Sequence, residues 1–96
     1  MPFLDRFRSK KVDAEESRRS RLLLAGRITE GSILDTGTDD AGEIRQIYFS
    51  YIVNGVEYES SQLLDAEQRR RPIDYAPGAR VVIRFDPHRP GNSVVV

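Results

Sequence analysis

Asn54-Gly55 sits between two stretches of alternating apolar and polar residues, and this arrangement constrains the fold more than any other feature of the chain. Upstream, Ile47, Phe49, Tyr51 and Val53 alternate with Tyr48, Ser50 and Ile52, the two-residue period of a strand. Asn-Gly is the dipeptide that best accepts the two positive φ angles of a type I′ turn. With these two residues as the loop, Val53 lies opposite Val56, Tyr51 opposite Tyr58 and Phe49 opposite Ser60. Cross-strand neighbours share a face. Phe49, Tyr51, Val53, Val56 and Tyr58 are therefore expected on one core-facing side, with Tyr48, Ser50, Glu57, Glu59 and Ser61 on the other. An antiparallel hairpin over Tyr48–Gln62 follows.

The remaining segments add strands to this hairpin. Arg21–Leu34 reads as a strand, or two short ones bent at Gly26 or Gly31, and the turn-forming residues of Asp35–Glu43 read as a loop. Asp65–Arg71 has capping-box spacing between Asp65 and Gln68, which predicts one or two helical turns stopped by Pro72. Pro77-Gly78 marks a turn before a strand at Ala79–Asp86, where Val81, Ile83 and Phe85 share a face opposite Arg80, Val82 and Arg84. Asp86–Ser93, with two prolines and a glycine, reads as a tight reversal into a short final strand, Val94–Val96. Five short strands predict an all-β fold: a small five-stranded antiparallel curled sheet or barrel, SH3-like or OB-like.

Ninety-six residues suffice for one domain. Residues 21–96 are expected to form it, behind an N-terminal tail over 1–20. Val12 and Ala14 are the only apolar side chains in the charge-dense segment Ser9–Arg21. Capping-box spacing between Asp13 and Glu16 and an i,i+4 pair, Glu15–Arg19, allow a short exposed helix there, with a disordered tail as the alternative. Phe3, Leu4 and Phe7 among Arg6, Arg8, Lys10 and Lys11 resemble a miniature basic anchor, weighed against a terminus without a packing role.

Composition closes off several classes. With no cysteine, disulfides, thiolate catalysis and cysteine-based metal sites are excluded. The longest apolar run, Leu22–Gly26, is far short of the roughly 20 residues that span a bilayer, and the start lacks the apolar stretch of a signal peptide. A cytoplasmic location is the expectation. Net charge is zero but unevenly spread. Residues 1–21 carry seven basic and four acidic groups, 22–68 two and nine, and 69–96 six and two. Overall neutrality weighs against a dedicated nucleic-acid binder.

Two motifs bracket the folded part. Tyr51-x-Val53-x-Gly55-x-x-Tyr58 is followed by Pro77-Gly78 and then by Val81-x-Ile83-x-Phe85-Asp86-Pro87-x-x-Pro90-x-x-Ser93. Over roughly Leu22–Val96 this resembles the bacterial family DUF3592, a domain of unknown function typified by Y-x-V-x-G-x-x-Y, a Pro-Gly or Gly-Asp turn and a closing Y-D-P-x-N-P-x-x-S. Phe85 and Arg89 replace the usual tyrosine and asparagine, and the membrane helices that often flank the domain are missing. The resemblance implies a β-rich extra-membrane module and brings no activity with it.

No residue constellation demands chemistry. His88, the only histidine, lies in a turn without the three or four converging ligands a metal needs. Asp39, Asp40 and Glu43 form an acidic loop lacking EF-hand spacing. Ser60 and Ser61 have no nucleophile elbow, and Gly26, Gly31 and Gly37 are too scattered for a phosphate loop. The chain is therefore expected to be a non-enzyme with no cofactor, metal or small-molecule ligand. Its expected role is contact with a protein partner or support of a membrane-associated assembly. The alternative is a small nucleic-acid-binding barrel. Its candidate binding surface is Arg69, Arg70, Arg71, Arg80 and Arg84 with Tyr48 or Tyr75, although Asp65, Glu67 and Asp74 bracket the arginine run.

Overall fold

A computed structural model describes residues 3–96, with side chains from Ala14 onward. Helix α1 (Phe3–Ala25) precedes five strands: β1 (Arg27–Thr38), β2 (Ile44–Val53), β3 (Val56–Leu63), β4 (Arg80–Asp86) and β5 (Arg89–Val95). Two 3₁₀ turns, Gln68–Arg70 and Pro72–Tyr75, connect β3 to β4. All pairings are antiparallel, in the order β3-β2-β1-β4-β5. The sheet curls into a nearly closed barrel, bringing its two outer strands, β3 and β5, near one another.

The hairpin follows the expected register, with Val53 opposite Val56, Tyr51 opposite Tyr58 and Phe49 opposite Ser60. Asn54 and Gly55 have φ of 51° and 80°, the left-handed pair a type I′ turn requires. Ile33, Ile47, Phe49, Tyr51, Val81, Ile83, Phe85 and Val95 fill the barrel with Leu64 and Tyr75. The rings of Phe49, Tyr51 and Tyr58 form a row, with centroids 6.0 and 5.6 Å apart. The expected face holds only part-way to the tip. Val53 and Tyr58 are half-buried and Val56 is 53% exposed, because the hairpin extends past the barrel's end.

Gly31 explains how a flat row of strands can curl. It lies between Tyr51 and Val81 in the sheet, and a Cβ there would overlap the side chain of Ile83 and the carbonyl of Ser50. The missing side chain is the space into which Ile83 packs, and a glycine inside a strand commonly marks such a close approach.

Four boundaries differ from those expected. Arg21–Ala25 is helical rather than extended, since no glycine or proline interrupts α1 before Gly26, whose N–H donates to Leu22 O at 2.8 Å. The division expected between residues 20 and 21 thus falls inside one helix. Strand β1 runs on to Thr38, because its partner β2 extends to Ile44 and holds the turn-forming residues of 36–38 in the ladder. Proline 72 opens a second 3₁₀ turn instead of only ending the first, as its fixed φ suits a first helical position. Strand β5 begins at Arg89, five residues before Val94.

The Asp65–Gln68 capping box does form: Gln68 N–H donates to Asp65 Oδ1 (2.7 Å) and Asp65 N–H to Gln68 Oε1 (3.1 Å). Glu15, in contrast, pairs with Arg18 at 2.6 Å, leaving Arg19 to reach Asp65 at 2.7 Å. The side chains of the expected anchor, Phe3, Leu4 and Phe7 with Arg6, Arg8, Lys10 and Lys11, and those of Val12 and Asp13, lie outside the described residues.

Candidate functional site

The motif residues prove to be the fastenings of the barrel. Tyr51 donates its hydroxyl hydrogen bond to Pro90 O at 2.5 Å, joining the hairpin motif to the closing motif across 39 positions of chain. Burial raises the Tyr51 pKa above its ordinary 10, with the Ser93 side chain pulling the other way. Asp86 Oδ1 accepts the backbone N–H of His88 at 2.8 Å, an Asx turn that sets the β4–β5 reversal. Ser93 is buried opposite Phe85. These positions account for structure, so a recognition surface must be sought elsewhere.

The six arginine and tyrosine positions singled out from the sequence are spread over the molecule. Arg69 and Arg70 are exposed on the first 3₁₀ turn. Arg71 is held by Asp74 (3.3 Å), Glu67 (4.0 Å) and the ring and hydroxyl of buried Tyr75. Arg80 pairs with Glu30 on the outer face of the sheet. Arg84 stands four residues further along β4, roughly 13 Å away at about 3.3 Å per residue, and donates to Gly26 O at 3.0 Å. Tyr48 lies on the outer face of β2 opposite Asp35 and Ser61. Of the six, Arg80, Arg84 and Tyr48 lie on the outer face of the sheet, with β1 between Tyr48 and the two arginines of β4.

The acidic loop is occupied by its own chain. Asp39 Oδ1 accepts the N–H groups of Ala41 (2.9 Å) and Glu43 (3.0 Å), and Oδ2 accepts Arg45 Nε at 2.6 Å. The Arg45 guanidinium, then these backbone donors, hold the Asp39 carboxyl below its usual pKa. Its oxygens close the β1–β2 turn, and no group of three or more metal-ligating side chains occurs among the described residues. Ser60 is half-buried beside Phe49, Ser61 is exposed, and His88 is exposed in the β4–β5 turn.

Two features were not anticipated. The first is an apolar strip on the outer face: Ile28 (63% exposed), Ile52 (62%) and Val82 (48%) surround the Glu30–Arg80 ion pair. Register builds it, since Val82 lies opposite Glu30, Ile28 opposite Arg84, and Ile52 one step beyond the Gly31–Tyr51 pair. The alternation in β2 and β4 already set Ile52 and Val82 on the solvent side; their convergence with Ile28 depended on the β1 register. The second is a cleft of about 500 Å³ where the end of α1 meets the β4–β5 turn, lined by Arg18, Arg21, Leu22, His88 and Arg89 among others. It joins residues about 70 positions apart, which no local pattern reveals.

No helix among the described residues is long and apolar enough to cross a membrane. Neither the curated proteins nor the solved structures include a match to this chain. The family described as "Domain of unknown function (DUF3592)" does match, over residues 25–96, from the end of α1 through all five strands. The chain belongs to the DUF3592 family.

Proposed function

We propose that this domain is a non-catalytic module that binds a protein partner through the outer face of its sheet. The observation that carries this reading is the strip of Ile28, Ile52 and Val82 around Glu30–Arg80. Three large aliphatic side chains on a rigid five-stranded surface, with a charged pair at their centre, have the make-up of a contact patch: apolar area for affinity and polar groups for orientation. The motif residues support the reading indirectly, because Tyr51, Pro90 and Asp86 are engaged in holding the barrel. A rigid scaffold that leaves one face free is suited to docking.

The test is quantitative co-purification from the cells that express the protein, comparing the natural chain with Ile28→Glu/Ile52→Glu. Both substitutions point outward, so the variant should keep its melting temperature. A partner recovered with the natural chain should bind the variant at least about tenfold more weakly, as expected for central contact residues. Equal recovery with both proteins would rule out the outer face as the contact surface.

A further inference from the structure

We propose that the cleft between the end of α1 and the β4–β5 turn binds a phosphate group. Its helix side presents Arg18, Arg21 and Leu22, and its turn side presents Pro87, His88 and Arg89. Three arginines thus line one concavity, with Asp86 the only acidic residue among the described residues of its lining. Asp86 Oδ1 is already engaged by the His88 N–H.

The three arginines differ in what they are free to do. Arg18 is fixed: it donates to Asn92 Oδ1 (2.7 Å) and Ser93 O (3.2 Å), and it pairs with Glu15. It is thereby a rigid wall of the cleft that also ties α1 to β5. Arg21 and Arg89 have exposed side chains and no hydrogen-bond or ion-pair partner among the described residues. A guanidinium presents a planar fork that matches an oxyanion two bonds at a time. Arg21 and Arg89 both line the cleft, Arg21 at the border with a shallower depression along α1, and two such forks suit a doubly charged phosphate better than a single carboxylate. The apolar floor of Leu22 and Pro87 accommodates the carbon skeleton to which the phosphate is attached. The volume lies within the usual range for small-molecule sites.

The full chain, labelled with ¹⁵N, is titrated with glycerol 3-phosphate and, separately, with phosphatidylcholine vesicles with or without phosphatidic acid. Potassium chloride at matched ionic strength is the reference. Saturable shifts at Arg21, Gly26, His88 and Arg89 are expected with a phosphate source and not with chloride. Shifts with the soluble ester identify a free phosphate compound as sufficient; binding to phosphatidic acid vesicles alone identifies the source as a lipid headgroup. Arg21→Gln/Arg89→Gln should weaken binding by about tenfold or more, since each charge-assisted hydrogen bond contributes about that factor. Arg69→Gln/Arg70→Gln, which removes the same charge elsewhere, should leave binding unchanged. The assignment is overturned if chloride reproduces the shifts, if no source saturates, or if the two double variants weaken binding equally.

Discussion

The barrel is closed in two unlike ways. At the Asn54-Gly55 hairpin, β2 and β3 are joined by a backbone ladder whose register runs without a shift from Val53–Val56 to Gln46–Leu63. At the opposite side, where β3 meets β5, a side chain does the joining. Gln62 Oε1 accepts the Val95 N–H at 2.8 Å, and Gln62 Nε2 donates to Val95 O at 3.2 Å. One buried amide therefore imitates a strand residue. Gln68 Nε2 donates to the same Val95 carbonyl at 2.9 Å, adding the connection after β3 to the seam. Helix α1 then spans the seam from outside: Arg18 reaches β5 at Asn92 and Ser93, while Arg19 reaches Asp65 just beyond β3. A ladder divides its energy among many equivalent bonds. The seam concentrates it in a few buried polar groups, where each loss leaves a partner unsatisfied.

The contrast can be broken first at Gln62. Gln62→Leu keeps the volume but strands the Val95 N–H, and should cost about 3 kcal/mol in urea melting. A cost below about 1 kcal/mol would mean the seam is closed by packing alone. Next comes Leu22→Ala. Leu22 is buried outside the main core, so the helix end docks through it, and truncation should cost about 2–3 kcal/mol. A neutral result would detach α1 from the barrel.

On the hairpin side, Gly55→Val forces a β-branched residue to φ 80° and should cost about 2 kcal/mol. Gly37→Val lies within β1, where φ is ordinary and the nearest atom to a Cβ, Gln46 Cβ, is 3.5 Å away; it should cost less than about 0.5 kcal/mol. The reverse order would relocate the turn. Below Gly55→Val comes Tyr51→Phe, which deletes the bond to Pro90 O at about 1 kcal/mol. It also has a pH signature. The Tyr51 pKa is raised on folding, so the proton is held more tightly in the native state. Its stabilising contribution is complete below pH 10, the ordinary tyrosine value, and is lost as pH rises from there through the folded pKa. The natural chain should therefore lose stability above pH 10 more steeply than Tyr51→Phe, measured by thermal melting.

What was legible in the sequence follows the same division. The hairpin, its register and its core-facing Phe49 and Tyr51 were readable because alternation and Asn-Gly act over a few residues. The capping box at Asp65 and Gln68 was readable for the same reason, although Gln68 has a second role that was not. Its side chain also reaches Val95, and nothing around position 68 announces a partner 27 positions away. The start of the chain was misread because Leu22–Leu24 is compatible with either strand or helix. Helical continuity from the preceding charged segment decided it. The candidate arginines were visible, but not that ion pairs would hold Arg71 to Glu67 and Asp74 and Arg80 to Glu30 on a different part of the surface. The convergence of Ile28 with Ile52 and Val82 came from the β1 register, and the cleft from the docking of α1 against the β4–β5 turn.

The reach of the Gln62–Val95 contact sets a schedule for folding. The hairpin residues meet after closing a two-residue loop, whereas Gln62 must find a partner 33 positions away. Closing the longer loop costs more entropy before any bond repays it, so β5 is expected to dock after the hairpin has formed. Contacts made after the rate-limiting barrier affect escape from the native state more than arrival at it. Loosening the seam should thus leave the refolding rate nearly unchanged and shorten the lifetime of the folded barrel. The C-terminal strand is the part that would leave first.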